Sequence, residues 1–273
     1  MSRSFHHFSS EDEQLIGTLD SGSEDTGLLI VSGGNEVRSG AHAGMSKLAQ
    51  YVANQGFPVF RFDRRGVGES SGENLEFMSS EQDIIAAAKQ LRTLCPNLNR
   101  IVAFGNCDAA TALALFGKSA QIHAYLLANP WVIENDQSEP SETPSPSAAA
   151  IRSRYWDRVK NPRSFIDLLT GKIDLSKLLK GLKQASKRQE NTGLAIKLRD
   201  ALIESNNRID ILIAEKDTTA LAFMASWKSD DYSQLRERSS LSLLKLDSAS
   251  HSFADEQSKI WLRERILECL RTP

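Results

Sequence analysis

Short apolar, β-branched runs alternate with longer amphipathic stretches along most of this chain, and that alternation admits few folds beyond a mostly parallel sheet with helices on its faces. The pattern predicts a strand over Gly27–Val31, a helix around Met45–Asn54 and a second strand over Phe57–Phe62. A longer amphipathic helix follows, with Glu81, Gln82 and Asp83 in its first turn and Ile84, Ile85, Ala88 and Leu91 on its inward face. Then come a strand over Arg100–Phe104, a helix opening near Asp108 and a strand over Ala124–Ala128. Ahead of all these, Phe5–Phe8 and Glu13–Leu19 read as an antiparallel hairpin on the sheet edge.

Beyond Trp131 the composition changes. Glu134–Pro146 is rich in Ser, Pro, Glu, Asn and Asp, the make-up of a loop or linker. Residues 147–206 read as helices only. The β pattern resumes at Ile209–Ala214 and Leu241–Leu246, and an amphipathic helix, Glu256–Leu270, closes the pattern. The chain therefore divides into a first core part (1–133), a helical insertion (134–206) and a second core part (207–273), with the insertion placed as a lid over a site on the sheet. Lys172, Lys177, Lys180, Lys183 and Lys187 within it read as a solvated helix face.

Charge excludes some partners. With 33 basic and 35 acidic residues the net charge is −2, so nothing points to nucleic acid or an anionic membrane. No run approaches the roughly 20 apolar residues a membrane span needs. The opening MSRSFHHFSSEDEQ has no apolar stretch behind its basic residue, which argues against a secretory signal. Cys95, Cys107 and Cys269 lie far apart and are odd in number. That is the usage of free thiols in a reducing compartment rather than of a disulfide framework or a zinc site. A cytoplasmic protein without metal or cofactor is expected, its oligomeric state open.

The chemistry is carried by one junction. The strand over Arg100–Phe104 runs into Gly105-Asn106-Cys107-Asp108-Ala109 and then the small-residue helical stretch Ala110–Phe116. This has the form of a nucleophile elbow with Cys where Ser is usual. A nucleophile on a tight strand-to-helix turn needs small residues two before and two after it, and Gly105 and Ala109 are small. Alone, such a string reads as a buried structural cysteine. Three further features change the reading. The strand over Ile209–Ala214 ends in Glu215-Lys216-Asp217, and Leu241–Leu246 leads to Ser250-His251-Ser252-Phe253 ahead of the last helix. Nucleophile, acid, histidine is the chain order of the α/β-hydrolase fold. Val31-Ser32-Gly33-Gly34-Asn35 follows the first parallel strand, where that fold supplies an oxyanion donor.

Several segments together resemble the α/β-hydrolases associated with the exosortase A system (hydrolase 1 type). They are Gly33-Gly34 with Arg38-Ser39-Gly40-Ala41-His42, Phe60-Arg61-Phe62-Asp63-Arg64-Arg65-Gly66-Val67-Gly68-Glu69-Ser70, and the Cys107 elbow, with Asn129-Pro130-Trp131 and Ser250-His251-Ser252-Phe253 extending the likeness. It covers most of the chain outside the Ser/Pro-rich linker and parts of the helical insertion. The second segment is common to lipase-like and peptidase-like α/β-hydrolases; the first, with the Cys elbow, is the more specific. The resemblance implies a bacterial gene near exopolysaccharide and protein-sorting genes, with no assigned substrate.

The expected site has Cys107 as nucleophile, His251 as general base and Asp217 holding the imidazole, with Glu215 as the competing acid. Asp108 N–H and Gly34 or Asn35 are expected to form the oxyanion hole. The Asp108 carboxylate should turn toward the exposed amides of the first helical turn. His42 is placed at the pocket rim, and Asp63 and Arg64–Ser70 are read as stabilising their loop. The reaction read from these residues is ester or thioester cleavage of a small-molecule acyl substrate through an acyl-cysteine. Acyl transfer through the same intermediate and a non-catalytic binding protein of the same fold are the alternatives.

Overall fold

The computed structural model describes residues 2–134 and 191–272. Eight strands, β1 (Arg3–Ser10), β2 (Glu13–Asp20), β3 (Thr26–Val31), β4 (Val59–Phe62), β5 (Arg100–Asn106), β6 (Ala124–Ala128), β7 (Arg208–Ala214) and β8 (Leu241–Leu246), form one sheet in the order β1-β2-β4-β3-β5-β6-β7-β8. The β1–β2 and β2–β4 pairs are antiparallel, and every other pair is parallel. This is the α/β-hydrolase fold.

The inner strands are apolar on both faces because helices cover both. In β5, Val102 and Phe104 point to one layer and Ile101 and Ala103 to the other, the period of two that a pleated strand imposes. One layer contains α1 (Gly44–Ala53) and the last described helix, Glu256–Arg271, which buries Leu262, Ile266 and Leu270. The other contains α2 (Glu81–Leu94) and α3 (Asp108–Phe116), with two further helices, α4 (Gly193–Glu204) and α5 (Thr218–Trp227). The helix Glu256–Arg271 is therefore α6. Alanines 109, 110 and 112 of α3 are fully buried and let that helix lie close on the sheet.

Of the predicted insertion, 135–190 lies outside the described residues. Its final part is α4, which connects to β7 and presses Leu194, Leu198 and Leu202 into the same core as α2 and α3. That stretch is thus part of the core's helix layer, because its apolar stripe covers the sheet. Thr192 caps it by accepting from Ala195 N–H at 3.0 Å, and Tyr232 Oη donates to Ala195 O at 2.6 Å. Between β7 and β8, α5 is an element the sequence pattern did not reveal. It has no polar face to mark it: Thr219, Ala220, Ala222, Phe223, Ser226 and Trp227 are all buried.

Candidate active site

Cys107 sits at the junction of β5 and α3 with φ 63° and ψ −127°, a backbone region that a side chain occupies only under strain. Its neighbours leave no choice about residue type. A Cβ on Gly105 would stand 2.8 Å from the Ala109 backbone and 2.9 Å from Leu113 Cδ1. The turn is held by Cys107 N–H donating to Ala128 O at 2.9 Å and by Cys107 O accepting from Ala110 N–H (3.1 Å) and Trp131 N–H (3.2 Å). The thiol is left half-buried rather than packed away.

His251 lies in the loop between β8 and α6. Its Nδ1 is 3.1 Å from Asp217 Oδ2. Asp217 is buried at the N-terminus of α5, where its other oxygen, Oδ1, accepts from Ala220 N–H at 3.0 Å. The carboxylate is therefore fixed by a helix cap before it meets the imidazole. Hydrogen bonds to Asp217 and then to Cys107 raise the His251 pKa to about 10, although burial works the other way. Glu215, the competing acid, is half-exposed and pairs with Lys245 at 3.5 Å. The structure thus brings Cys107, His251 and Asp217 together and leaves Glu215 outside.

The glycine loop after β3 differs from expectation in one respect. Asp108 Oδ1 accepts from Gly34 N–H at 2.7 Å, so the carboxylate turns away from the first turn of α3. Arg64 Nη2 lies 3.6 Å from Asp108 Oδ2 and also donates to Gly34 O, so one guanidinium stands beside both the carboxylate and the loop. Asn35 Oδ1 is engaged by Asn74 Nδ2 at 2.6 Å. Asp63 is held within its loop: the buried carboxylate pairs with the Arg38 side chain and accepts from Arg38 N–H, while Ser70 Oγ donates to Asp63 O at 2.7 Å.

The serine aminopeptidase S33 family matches residues 24–206, more than half of the chain. The chain belongs to that family. As an S33-family α/β-hydrolase it is a hydrolase, and it departs from the family's name in carrying Cys107 at the elbow. The matched stretch contains the elbow and the glycine loop and ends before Asp217 and His251. In fold the chain is similar to the Pyrococcus furiosus esterase Pf2001, at 17% identity and TM-score 0.65 over 99% of this chain and 90% of that one. It is also similar to the thioesterase domain from the curacin biosynthetic pathway, at 13% identity and TM-score 0.58 over 98% and 100% of the two chains. The Xanthomonas campestris protein XC6422, described as a serine hydrolase without lid, is 13% identical with TM-score 0.58 over 100% and 97%. Among curated proteins no relative matches.

A cavity of about 580 Å³ opens from Cys107 and His251 of this S33-family member and runs between α1 and α6. Leu48, Phe104, Phe253 and Leu262 make it apolar, Met45 also lines it, and exposed His42 stands on its lining. Phe253 is itself held by stacking on Trp261, with ring centroids 5.9 Å apart. Among the described residues no cluster of His, Cys, Asp or Glu is arranged to hold a metal, and no helix is long and apolar enough to cross a membrane.

Two site residues had no role assigned from the sequence. Asn129 is fully buried with φ 43°. It donates to His251 O (3.2 Å) and Asn106 Oδ1 (3.1 Å), and its own Oδ1 accepts from Ala214 N–H (2.9 Å). Asn106 Nδ2 donates to the same His251 carbonyl at 3.1 Å. Together they tie the histidine loop to the elbow and to β7. The available signal was an amide at the end of two otherwise apolar strands, where no ladder bond requires it.

Proposed function

We propose that this S33-family hydrolase cleaves an ester or thioester bond of a small-molecule acyl substrate through an acyl-cysteine on Cys107. The reading rests on one line of side chains. Asp217 Oδ2 stands 3.1 Å from His251 Nδ1, and His251 and Cys107 line the same cavity. In this line His251 takes the proton of the attacking thiol, which a thiol gives up more readily than a serine hydroxyl does. The thiolate attacks the acyl carbon, and charge develops on the carbonyl oxygen near Asp108 N–H at the start of α3. Collapse expels the alcohol or thiol, which takes its proton from the His251 imidazolium. The neutral imidazole then takes a proton from water, the resulting hydroxide adds to the acyl-cysteine, and the thiolate leaves.

Two of the similar folds carry the names esterase and thioesterase, which supports this bond class. The apolar cavity leading to the thiol is suited to an acyl chain. From its free-thiol usage the same proposal places the reaction in the cytoplasm, and from the resemblance of its motifs it links the reaction to exopolysaccharide or protein-sorting systems. The test is to incubate the protein with p-nitrophenyl esters and acyl thioesters and to follow intact mass. An acyl adduct that maps to Cys107 and is absent in Cys107→Ala is expected, and iodoacetamide should modify Cys107 before Cys95 or Cys269. Turnover that survives Cys107→Ala would sink the proposal. Release of the acyl group to an added alcohol or amine in preference to water would instead establish acyl transfer.

A further inference from the structure

An acyl oxyanion at Cys107 needs N–H donors on the side of the glycine loop, yet the Gly34 N–H is already taken. A backbone amide has one proton to give, and here it goes to Asp108 Oδ1 at 2.7 Å. The occupant is a carboxylate, so a substrate oxygen arriving there would meet both a filled donor and a like charge. The glycine at 33 leaves room for this arrangement and nothing more: a Cβ there would stand 2.7 Å from the same Asp108 oxygen. The site as it stands is shut to a developing oxyanion.

An alternative partner for the carboxylate is already in place. Arg64 is buried, its Nη2 lies 3.6 Å from Asp108 Oδ2, and its Nη1 is buried with no hydrogen-bond partner. An unpaired guanidinium nitrogen in such a place is unfavourable, and a carboxylate moving onto it would satisfy it. We propose that Asp108 is a two-position gate on the oxyanion site, closed when its carboxylate sits on Gly34 N–H and open when it sits on Arg64. The inference rests on the acyl-cysteine reading above. The substrate's carbonyl oxygen displaces the carboxylate from Gly34, Arg64 receives it, and the freed N–H completes the hole with Asp108 N–H. Asp108 is thus a positioning residue that sets how readily the chemistry starts.

Two reactions at the same sulfur separate the gate from thiol reactivity. Acylation by p-nitrophenyl acetate forms an oxyanion, whereas alkylation by iodoacetamide forms a C–S bond with loss of iodide and needs no such hole. The ratio of the two rates therefore isolates the hole from any change in the thiol itself. Asp108→Ala should raise the ratio by about tenfold or more, a part of the 10²- to 10³-fold that one oxyanion donor typically supplies. Asp108→Asn keeps an acceptor on Gly34 without the charge, so it should give a smaller rise while preserving the loop. Arg64→Met removes the open position and should lower the ratio. A ratio at or below that of the unaltered protein in both Asp108 variants overturns the gate, as does an unchanged or higher ratio in Arg64→Met. Failure of the underlying reading would look different: Cys107→Ala would still turn over the ester.

Discussion

At the scale of single residues, strain and basicity both converge on the thiol and its partner. Holding a side chain at φ 63°, ψ −127° costs on the order of 1–3 kcal/mol, and a glycine there is relieved of it. Cys107→Gly should therefore unfold at higher urea than Cys107→Ala, by roughly 1 kcal/mol, because both lose the sulfur but only one loses the strain. Equal midpoints would show that the elbow is relaxed. His251 carries the pH dependence. Its pKa is raised to about 10 by Asp217 and then Cys107, while an unfolded imidazole titrates near about 6.5. The folded protein binds this proton the more tightly, so the stabilisation is complete below about pH 6.5 and is lost as the pH rises through about 10. His251→Gln should lower the urea midpoint clearly at pH 6 and little at pH 10.5. The ring-proton NMR signal of His251 should still report imidazolium at pH 8, when His123, pushed down chiefly by burial, is neutral.

Among the elements, α5 has two duties through one side chain. Asp217 caps it with Oδ1 and faces His251 with Oδ2, so the two duties can be separated. Asparagine caps as well as aspartate. At pH 10.5, where the imidazolium stabilisation is gone, Asp217→Asn should melt near the unaltered protein and Asp217→Ala about 1 kcal/mol below it, while both lose ester turnover at pH 8. A melting curve for Asp217→Asn at pH 10.5 as low as that for Asp217→Ala would place the carboxylate's value in more than the cap. This helix also shows where a sequence stops being readable. Strands β3 to β7 were legible because a sheet buried on both faces writes continuous apolar runs, and the elbow because its steric demand on Gly105 and Ala109 is local. Helix α5 was not, since a helix buried nearly all round has no amphipathic period to detect. The Asp108–Gly34 bond joins residues 74 apart on two separate loops, so no pattern along the chain encodes it.

For the molecule as a whole, substrate choice belongs to the space between α1 and α6. Met45 is half-buried on its wall, and its thioether is adaptable filler that a rigid indole would replace. Met45→Trp should shift preference among p-nitrophenyl esters toward shorter acyl chains, with iodoacetamide labelling of Cys107 unchanged. An unaltered chain-length profile would mean that the acyl group lies elsewhere. The same cavity has a second consequence, which concerns biosynthesis. One wall, α1, is made before the elbow, whereas His251 and the other wall, α6, are made after it. A ribosome-bound chain that has exposed its thiol therefore has neither the base that would ionise it nor the walls that would hold an acyl group. Under the reaction proposed above, catalysis at Cys107 can begin only after α6 has been made.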